Sequence, residues 1–234
     1  MRSRLAPGEM PVINGATGYF GSAAVLLGLA LGATRIAMGG RNRHALEELK
    51  SIGGNRTIAV ALTGNVAKDT QQFRSATVGG AHVAFDMVGR ATDPDATLAA
   101  LRSLRRGGRL VLMGSMNVPL CISYGEVMAN NSEIIGNFMY PNSAYRRLLD
   151  LVRTGTLPLD AATVTAFSLP GLPAAMEAAA RNRGLQCTLV GAYLRHGCAA
   201  KMAYPRNSCH GAGFGRLVDA LIIIVPKSPK ENHA

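Results

Sequence analysis

The chain has 234 residues, of which 48% are hydrophobic and 17% are charged, a balance that excludes extensive disorder. A chain of this length buries roughly 70% of its unfolded surface, so it needs neither disulfides nor a metal to fold. Its formal net charge of +11 raises nucleic acid as a partner. The arginines are scattered and are not interleaved with aromatic residues, which predicts a general attraction to polyanions and no specific nucleic-acid recognition.

Short apolar runs alternate with helical stretches over the first half of the chain. The candidate strands are 10–14, 34–38, 57–61, 82–87 and 109–113, and the candidate helices are 19–31, 43–51, 67–76 and 93–105. Strands that are apolar throughout are covered on both faces, which indicates a parallel sheet with right-handed crossovers. Asp93-Pro94 is expected to start the last of these helices, and Gly107-Gly108 is expected to end it. The predicted fold class is α/β, a doubly wound parallel sheet of the Rossmann type.

The regular alternation of apolar runs and helical stretches ends after residue 115. Strands are predicted at 118–123 and 133–139, a helix at 142–154, and further elements at 163–168, 170–182 and 186–190. The last forty residues have no clear period and form an irregular tail. Its apolar run from Ala220 to Val225 is too short to span a membrane, so a peripheral strand or a sticky tail is expected there.

One charge-free stretch, from Met10 to Thr34, is long enough to span a bilayer. It contains Pro11, Asn14 and five glycines, so a buried strand, a glycine turn and a buried helix in series is the preferred interpretation, and no membrane partner is expected. The four cysteines have no CxxC and no framework spacing, and the start of the chain has no apolar signal region. A reduced, cytoplasmic protein is therefore expected.

A glycine-rich motif follows the first predicted strand and opens the first predicted helix. It has the sequence Gly-Ala-Thr-Gly-Tyr-Phe-Gly, and its place inside a strand–helix–strand unit distinguishes it from a chance glycine triplet. Gly15 would let the chain turn, Gly18 would let the backbone approach a pyrophosphate, and Gly21 would let helix and strand pack closely. The N–H groups of Tyr19 and Phe20 and the helix dipole would then hold the phosphates. The alternative is a tight strand–helix turn with no ligand.

The residues after the second predicted strand indicate which dinucleotide would fit. NAD sites usually place an acidic residue about 20 residues beyond the first glycine, bonded to the ribose 2′-hydroxyl, but no acidic residue lies between Met10 and Leu46. Arg41, Asn42 and Arg43 stand there instead. Guanidinium groups suit a 2′-phosphate because they offer fixed pairs of donors, so NADP(H) is favoured over NAD(H). The alternative is that the arginines only cap or solvate the loop.

Three segments, GATGYFG, FDMVGRATDPDATLAALRSLRRGGRLVLMGS and IIGNFMYP, resemble the nucleotide-binding domain of the medium-chain dehydrogenase/reductase superfamily, the alcohol dehydrogenase and quinone oxidoreductase-like proteins. The resemblance covers about residues 7–191. It implies that three further groups of residues lie on the cofactor. The loop Asp86-Met87-Val88 would lie along it, Met113, Gly114 and Ser115 near its nicotinamide-side ribose, and Phe138 and Met139 at the nicotinamide.

The resemblance also bears on assembly and domain organisation. It implies that the segment 118–139 extends the sheet and, as in many relatives, pairs with its twin in a homodimer, with Cys121 as an ordinary buried residue. The expected domains are a Rossmann-type NAD(P)-binding domain over 7–160, a remnant of the segment that returns to the catalytic domain over 161–191, and a divergent tail over 192–234.

The chain departs from the family's pattern at its start. In the family a barrel-like domain precedes the nucleotide-binding domain and supplies zinc ligands or substrate walls, whereas about nine residues precede the first predicted strand here. The catalytic domain is therefore expected to be missing, no zinc is expected, and catalytic residues are not assigned. An exposed apolar face on the return segment is expected as well.

Other chemistries have weaker support. No tyrosine has a lysine four residues further on, which disfavours the catalysis of short-chain reductases but not an NADP-sensing relative. His196, Cys198, Cys209 and His210 contain the elements of a zinc site, but the adjacent Cys209-His210 pair is awkward geometry for one ion. His82, at the start of a core strand, is expected to be an edge histidine with its hydrogen bonds satisfied.

Two functional hypotheses share one predicted site. The first is an NADP(H)-binding oxidoreductase-family protein, of doubtful independent activity, that moves a hydride between the nicotinamide and a carbonyl, alcohol or quinone-like substrate. The second is a non-catalytic NADP(H)-binding or dimerisation module. The predicted cofactor-binding residues are Gly15, Thr17, Gly18, Tyr19, Phe20, Gly21, Arg41, Asn42, Arg43, Met87, Val88, Met113, Gly114, Phe138 and Met139.

Overall fold

A computed structural model describes residues 2–191, 198–201 and 222–223. Residues up to Leu157 form one compact unit, and residues from Pro158 onward form a second. The strands described in the first unit are β1 (Pro11–Asn14), β2 (Ile36–Gly40), β3 (Thr57–Ala61), β4 (Ala81–Asp86), β5 (Leu104–Leu112) and β6 (Glu133–Gly136). Its described helices are α1 (Tyr19–Ala30), α2 (Arg43–Gly53), α3 (Val66–Ala76), α4 (Asp95–Arg102), α5 (Tyr124–Asn130) and α6 (Asn142–Arg153).

The six strands form one parallel sheet in the order β3-β2-β1-β4-β5-β6. This is the strand order of doubly wound dinucleotide-binding folds, in which the chain reverses its direction across the sheet next to β1. The predicted α/β fold class is confirmed.

The register aligns the carboxyl ends of the central strands. Asn14 of β1 pairs with Gly39 on one side and with Asp86 on the other, and Asp86 pairs in turn with Leu112 of β5. Leu112 pairs with Gly136 of β6. The loops that follow β1, β2, β4, β5 and β6 therefore all leave the sheet at one edge.

The core forms because the central strands are apolar on both faces and helices cover them. Residues of β1, β2 and β4 such as Val12, Ile36 and Val83 are completely buried. The ring of Phe73 from α3 is also fully buried, and a side chain at Gly39 would overlap it. The small residues at the ends of the strands thus let a helix approach the sheet closely.

The predicted helix end at Gly107-Gly108 was wrong. Helix α4 ends at Arg102, and both glycines lie inside β5. The pairing of β4 with β5 jumps from Ala81–Leu104 to Val83–Arg109, so residues 105–108 bulge out of the ladder. Gly107 supports this bulge with a φ of 75°, a conformation that suits glycine.

The predicted strand at 118–123 was also wrong, and so was the burial of Cys121. Residues 117–123 form no strand, and Cys121 is exposed. Only Glu133–Gly136 of the segment 118–139 pairs with the sheet. Pro119 lacks the N–H that a ladder needs, and a cysteine outside the sheet has no layer to cover it.

The charge-free stretch 10–34 divides into β1, the glycine turn and α1, which has 12 residues. None of the helices that the structure describes is long and apolar enough to cross a membrane.

The first residues of the described chain are fastened to the amino end of the sheet. The Arg109 guanidinium donates to both carboxylate oxygens of Glu9, at 2.9 and 2.7 Å, and to the Ser3 carbonyl at 2.9 Å. Burial by itself would raise the pKa of Glu9, but the hydrogen bonds from Arg109 and the Ala6 N–H bring it below its usual value. His82 accepts a hydrogen bond from the Met10 N–H at 3.2 Å, as expected for an edge histidine.

The second unit contains a four-stranded sheet in the order β10-β8-β7-β9. Its described elements are β7 (Thr163–Ser168), α7 (Leu172–Arg181), β8 (Gln186–Gly191), β9 (Cys198–Lys201) and β10 (Ile222–Ile223). Strands β7 and β8 are parallel, while β9 and β10 pair with them antiparallel. Two short pieces of the predicted tail are therefore strands, and the domain limits at 160 and 191 remain predictions.

We expect Phe73→Ala to lower the free energy of unfolding by about 3 to 5 kcal/mol, because it removes a fully buried ring and leaves a cavity. Phe138→Ala is the matched control, since Phe138 is 96% exposed and its truncation should change stability by less than about 0.5 kcal/mol. Urea unfolding followed by circular dichroism measures both. Equal losses for the two variants would contradict this description of the core.

Candidate functional site

The candidate site lies at the carboxyl edge of the sheet, where β1 and β4 are neighbours. The chain after β1 continues through α1 to β2 on one side, while β4 and β5 continue the sheet on the other. The loops after β1 and β4 therefore diverge, and ligands of doubly wound sheets bind in the crevice between such loops.

Gly15 makes the turn that leaves β1. Its φ is 84°, a left-handed conformation that residues with side chains rarely adopt. The N–H groups of Gly15 and Ala16 both donate to the Gly39 carbonyl, at 3.0 and 2.9 Å. A Cβ at Gly15 would lie 3.1 Å from the Met87 carbonyl oxygen, so the turn packs directly on the loop after β4.

Gly21 lets α1 pack on this turn. It is buried, and a Cβ at this position would overlap the carbonyl oxygen of Gly15 and lie 2.7 Å from the Cα of Ala16. Both neighbours are backbone atoms and cannot rotate away. The close helix–strand packing predicted for Gly21 is what the structure shows.

Gly18 differs from these two glycines because the fold places a smaller demand on it. Its backbone angles, φ −80° and ψ 169°, suit any residue, and a Cβ there would make one close contact without overlap, 3.3 Å from the Gly15 carbonyl oxygen. Gly18 is the exposed residue that precedes α1, and no side chain caps that helix. By contrast, Asn42 and Asn65 cap α2 and α3 through their side chains.

The first turn of α1 therefore has donors without intrahelical acceptors. The helix ladder begins with the Ser22 N–H, which donates to the Gly18 carbonyl at 2.9 Å. Within the described chain no hydrogen bond engages the N–H groups of Phe20 and Gly21. The rings of Tyr19 and Phe20 meet edge to face at 5.6 Å, and Phe20 is 63% exposed beside the turn.

Thr17 and the end of β2 form one wall of the site. A Cβ at Gly40 would lie 2.9 Å from Thr17 Cγ2, so the turn rests on the last residue of β2. Arg41, Asn42 and Arg43 follow and are exposed. The side-chain oxygen of Asn42 accepts the Ala45 N–H at 3.1 Å and so caps α2. Among the described residues, neither arginine has an ion pair or a hydrogen bond through its guanidinium.

The loops after β4 and β5 form the opposite wall. The N–H groups of Met113 and Gly114 both donate to the Asp86 carbonyl at 2.9 Å, which turns the chain at the end of β5. A Cβ at Gly114 would overlap the Val88 carbonyl oxygen, so the two loops touch through backbone atoms. The side chain of Met113 is 42% exposed.

Phe138 and Met139 follow β6 at the same edge of the sheet. Their exposed fractions are 96% and 66%, so neither side chain belongs to the hydrophobic core. The predicted cofactor-binding residues therefore all lie after the carboxyl ends of strands, namely β1, β2, β4, β5 and β6. The glycine turn contacts the loop after β4 and the end of β2 directly, whereas Phe138 and Met139 have no described contact with it.

Asn14 and Asp86 form a buried polar pair beneath the site that the sequence analysis missed. The Asn14 side-chain amide donates to the Asp86 carboxylate at 2.8 Å. Burial raises the pKa of Asp86 above its usual value, while polar neighbours, among them the Asn14 amide, oppose the rise. The sequence signal that could have predicted this contact is a polar residue at the end of each apolar strand, Asn14 in β1 and Asp86 in β4.

The described residues offer no metal centre. No group of three or more His, Cys, Asp or Glu side chains among them could hold an ion. The side chains of His196, Cys198, Cys209 and His210 lie outside the described residues.

The strand order and the open glycine turn at the reversal point define a Rossmann-type domain of the kind that binds dinucleotides. The family model for zinc-binding dehydrogenases matches residues 20–154, which is more than half of the chain. The chain belongs to this family and thus to the medium-chain dehydrogenase/reductase superfamily, whose members are NAD(P)-binding dehydrogenases. The described residues do not provide ligands for the zinc in the family's name.

A curated relative agrees with this assignment, and two solved structures share the fold. The sorbitol dehydrogenase of Bacillus subtilis (strain 168) is 29% identical over 210 residues, which cover 88% of this chain and 53% of that enzyme. The crystal structure of AibC superimposes with a TM-score of 0.65 at 24% identity, over 81% of this chain and 51% of that one. The structure of the reductase CinF, solved with NADP and 2-octenoyl-CoA, superimposes with a TM-score of 0.62 at 17% identity. The match covers 82% of this chain and 46% of that one. The chain spans about half the length of the curated relatives it matches.

We expect Gly21→Ala to destabilise the fold by about 1 to 3 kcal/mol, because its methyl group has no room against the turn backbone. Gly125→Ala is the matched control, since Gly125 also lies in a helix but a Cβ there would meet open space. That change should be neutral or stabilising by up to about 1 kcal/mol. Thermal unfolding of both variants measures the difference, and similar melting temperatures for both would contradict the close packing of α1.

Proposed function

We propose that this chain is the NADP(H)-binding part of a cytoplasmic oxidoreductase of the alcohol dehydrogenase and quinone reductase type. The observation that carries the proposal is the uncapped start of α1, at the reversal point of the sheet, with Gly18 as its first flanking residue. The cytoplasmic location follows from the cysteine pattern.

Of the three glycines in the motif, two are explained by the fold and the third is explained best by a bound ligand. Gly15 and Gly21 are required by the turn and by helix packing, as their φ angle and close contacts show. Gly18 meets neither demand strongly, so its missing side chain is explained best by the approach of a diphosphate to the helix start. The N–H groups of Phe20 and Gly21 and the positive end of the α1 dipole would bind that diphosphate.

The arginines after β2 support NADP(H) over NAD(H). Arg41 and Arg43 are exposed near the end of the strand where the adenosine ribose of a bound dinucleotide lies. Because their guanidinium groups have no partner among the described residues, they are available to a 2′-phosphate, to which Arg offers paired donors. No carboxylate stands between Met10 and Leu46 to repel that phosphate.

The remaining residues of the proposed site would orient the cofactor. When it is bound, its nicotinamide ring supplies the chemistry of hydride transfer to or from a carbonyl, alcohol or quinone-like substrate. Val88 and Gly114 present backbone along the crevice, and Met113 offers a partly exposed apolar side chain on the same wall. Phe138 and Met139 are exposed apolar side chains that would cover one face of the ring and exclude water from it.

Titration of the protein with NADPH and NADH tests the proposal. The chain contains no tryptophan, so the fluorescence of the reduced nicotinamide can be followed without that background. We expect NADPH to bind more tightly than NADH. Arg41→Ala should weaken NADPH binding by about tenfold to a hundredfold, through loss of a charge-assisted hydrogen bond, and should leave NADH binding unchanged.

Two further variants make this test specific. Arg106→Ala removes an equal charge from an exposed residue in the β5 bulge, toward the amino end of the strand, and should leave both affinities unchanged. Gly18→Val suits the backbone angles of residue 18 but places methyl groups at the helix start. It should therefore weaken binding of both dinucleotides, with a smaller loss of melting temperature than Gly21→Ala. Unchanged affinities in both Arg41→Ala and Gly18→Val would exclude the assigned site.

A non-catalytic NADP(H)-binding module would have the same turn and the same arginines, so binding alone does not separate it from a dehydrogenase. Steady-state oxidation of NADPH with small aldehydes and quinones as substrates separates the two possibilities. Turnover by the wild-type chain that is lost in Gly18→Val would establish catalysis, whereas binding without turnover would support the module.

We also propose that two copies pair through the segment 118–139. Strand β6 is last in the sheet order, and the side chains of Tyr124, Met128 and Ile134 are 84%, 59% and 40% exposed. An exposed apolar surface beside an open strand edge suits a self-complementary interface. Sedimentation of the wild type and of Ile134→Lys tests this: a dimer that the lysine dissociates supports it, and a monomeric wild type excludes it.

A further inference from the structure

The edge of the parallel sheet at which its strands begin is rich in arginine. Arg35 directly precedes β2, Arg56 directly precedes β3, and Arg105 and Arg106 lie in the bulge near the start of β5. We call this edge, with these four arginines, the amino face. It lies at the opposite end of the strands from the proposed crevice, so a ligand on it would not compete with a dinucleotide.

The carboxylates described at this edge do not neutralise the four arginines, because each carboxylate is paired with a different arginine. An ion pair holds each of them within hydrogen-bonding distance of its partner. The pairs are Glu9 with Arg109 at 2.7 Å, Glu126 with Arg102 at 2.8 Å, and Glu133 with Arg4 at 2.6 Å. The amino face therefore carries an excess of positive charge.

The four arginines of the amino face have at most neutral partners among the described residues. Arg56 donates to the Leu29 carbonyl at 3.3 Å, in the last turn of α1, where a cation complements the helix dipole. Arg35 has a buried Nε with no hydrogen-bond partner among them. Arg106 is exposed, and no ion pair or hydrogen bond of its guanidinium is present there. The end of a helix thus explains Arg56 and leaves the other three unexplained.

Arg105 has a partner that cannot accept its hydrogen bond well. Its guanidinium lies 2.8 Å from His82 Nε2, while His82 Nδ1 lies 3.2 Å from the Met10 nitrogen as the acceptor of its N–H. A neutral imidazole has one acceptor nitrogen, so the ring can satisfy only one of these two donors. Burial and the charge of Arg105 lower the pKa of His82, which agrees with a neutral ring. A phosphate oxygen would be a better acceptor for Arg105.

The strand order places these arginines in a row. Strands β3, β2, β1, β4 and β5 are successive neighbours, and neighbouring strands lie about 4.8 Å apart. Arg56 and the β5 bulge are therefore separated by about 19 Å across the face, with Arg35 between them. Because residues 105–108 bulge out of the ladder, the side chains of Arg105 and Arg106 are both exposed.

The side chains of this row favour the phosphate backbone of duplex nucleic acid as a partner. Guanidinium groups donate in pairs to phosphate oxygens, and a duplex presents phosphates at regular intervals along its length. Proteins that bind single strands add aromatic side chains on which the bases stack. No aromatic residue described in the first unit lies in a strand start or directly before one. The face thus offers charge to a backbone and nothing to an unpaired base.

We propose that the amino face binds duplex nucleic acid through its phosphates, without reading its sequence. Arg105 and Arg106 make the main contacts, and Arg35 and Arg56 extend the row. This inference gives the general attraction to polyanions that the net charge predicts a defined place on the surface. It does not rest on the proposed function, because none of these arginines belongs to the proposed dinucleotide site.

Fluorescence anisotropy of a short labelled DNA duplex, titrated with the full chain at several salt concentrations, tests the proposal. We expect two duplexes of unrelated sequence to bind equally well. The logarithm of the association constant should fall with the logarithm of the salt concentration with a slope between about −2 and −4, as two to four phosphate contacts require.

A double variant places the contact on the β5 bulge. Arg105→Gln combined with Arg106→Gln should weaken duplex binding by about tenfold to a hundredfold at low salt and make the slope less steep by about 2. The matched control is Arg146→Gln combined with Arg147→Gln. These are also adjacent exposed arginines, but they lie in α6, which begins after the carboxyl end of β6. The control removes the same charge and should change the affinity by less than about twofold.

Each other result overturns the proposal. No duplex binding at low salt excludes it, and an equal loss in both double variants shows an effect of net charge without a defined face. Binding to vesicles that contain phosphatidylserine but not to the duplex would identify a membrane surface instead. Duplex binding that NADPH displaces, or that Gly18→Val abolishes, would place the contact in the crevice. A chain that binds the duplex but neither dinucleotide would overturn the proposed function alone.

Discussion

The contact between Gly21 and the backbone of the Gly15 turn is the constraint on which the candidate site depends. It brings the first turn of α1 against the backbone of the turn that leaves β1. A larger residue at either position would displace the helix or the turn, because both sides of the contact are backbone atoms. With that distance set, leaving residue 18 as glycine and leaving the helix uncapped opens the donors to a ligand.

A second layer of polar contacts lies beneath that turn. Asn14 and Asp86 are partners in the sheet register and in a side-chain hydrogen bond, so they join the ends of β1 and β4 twice. Such a buried pair contributes little to a hydrophobic core, but it fixes the direction in which the following loops leave. Two buried polar side chains therefore contribute to the shape of the proposed site.

The chain belongs to the zinc-binding dehydrogenase family but spans about half the length of the curated relatives it matches. The family model matches residues 20–154, which contain five of the six strands described in the parallel sheet, and the residues that the structure describes contain no cluster of metal ligands. Substrate chemistry is therefore the part of the proposed function that depends on turnover measurements, while cofactor binding rests on the geometry of this chain. The second unit, with its own small sheet, is similar in length to the segments predicted as return segment and tail.

The amino-acid sequence by itself determined the fold class and the glycine turn, because both depend on local patterns. Apolar strand residues such as Val12 and Ile13 require cover on both faces of the sheet, and the spacing of Gly15, Gly18 and Gly21 fits one strand–helix connection. Only the tertiary structure decided that 118–123 is no strand, that Gly107 lies in a bulge, and that Asn14 and Asp86 meet. Those features depend on which segments become neighbours in the sheet, and a hydrogen bond between residues 72 positions apart leaves no periodic signal in the chain.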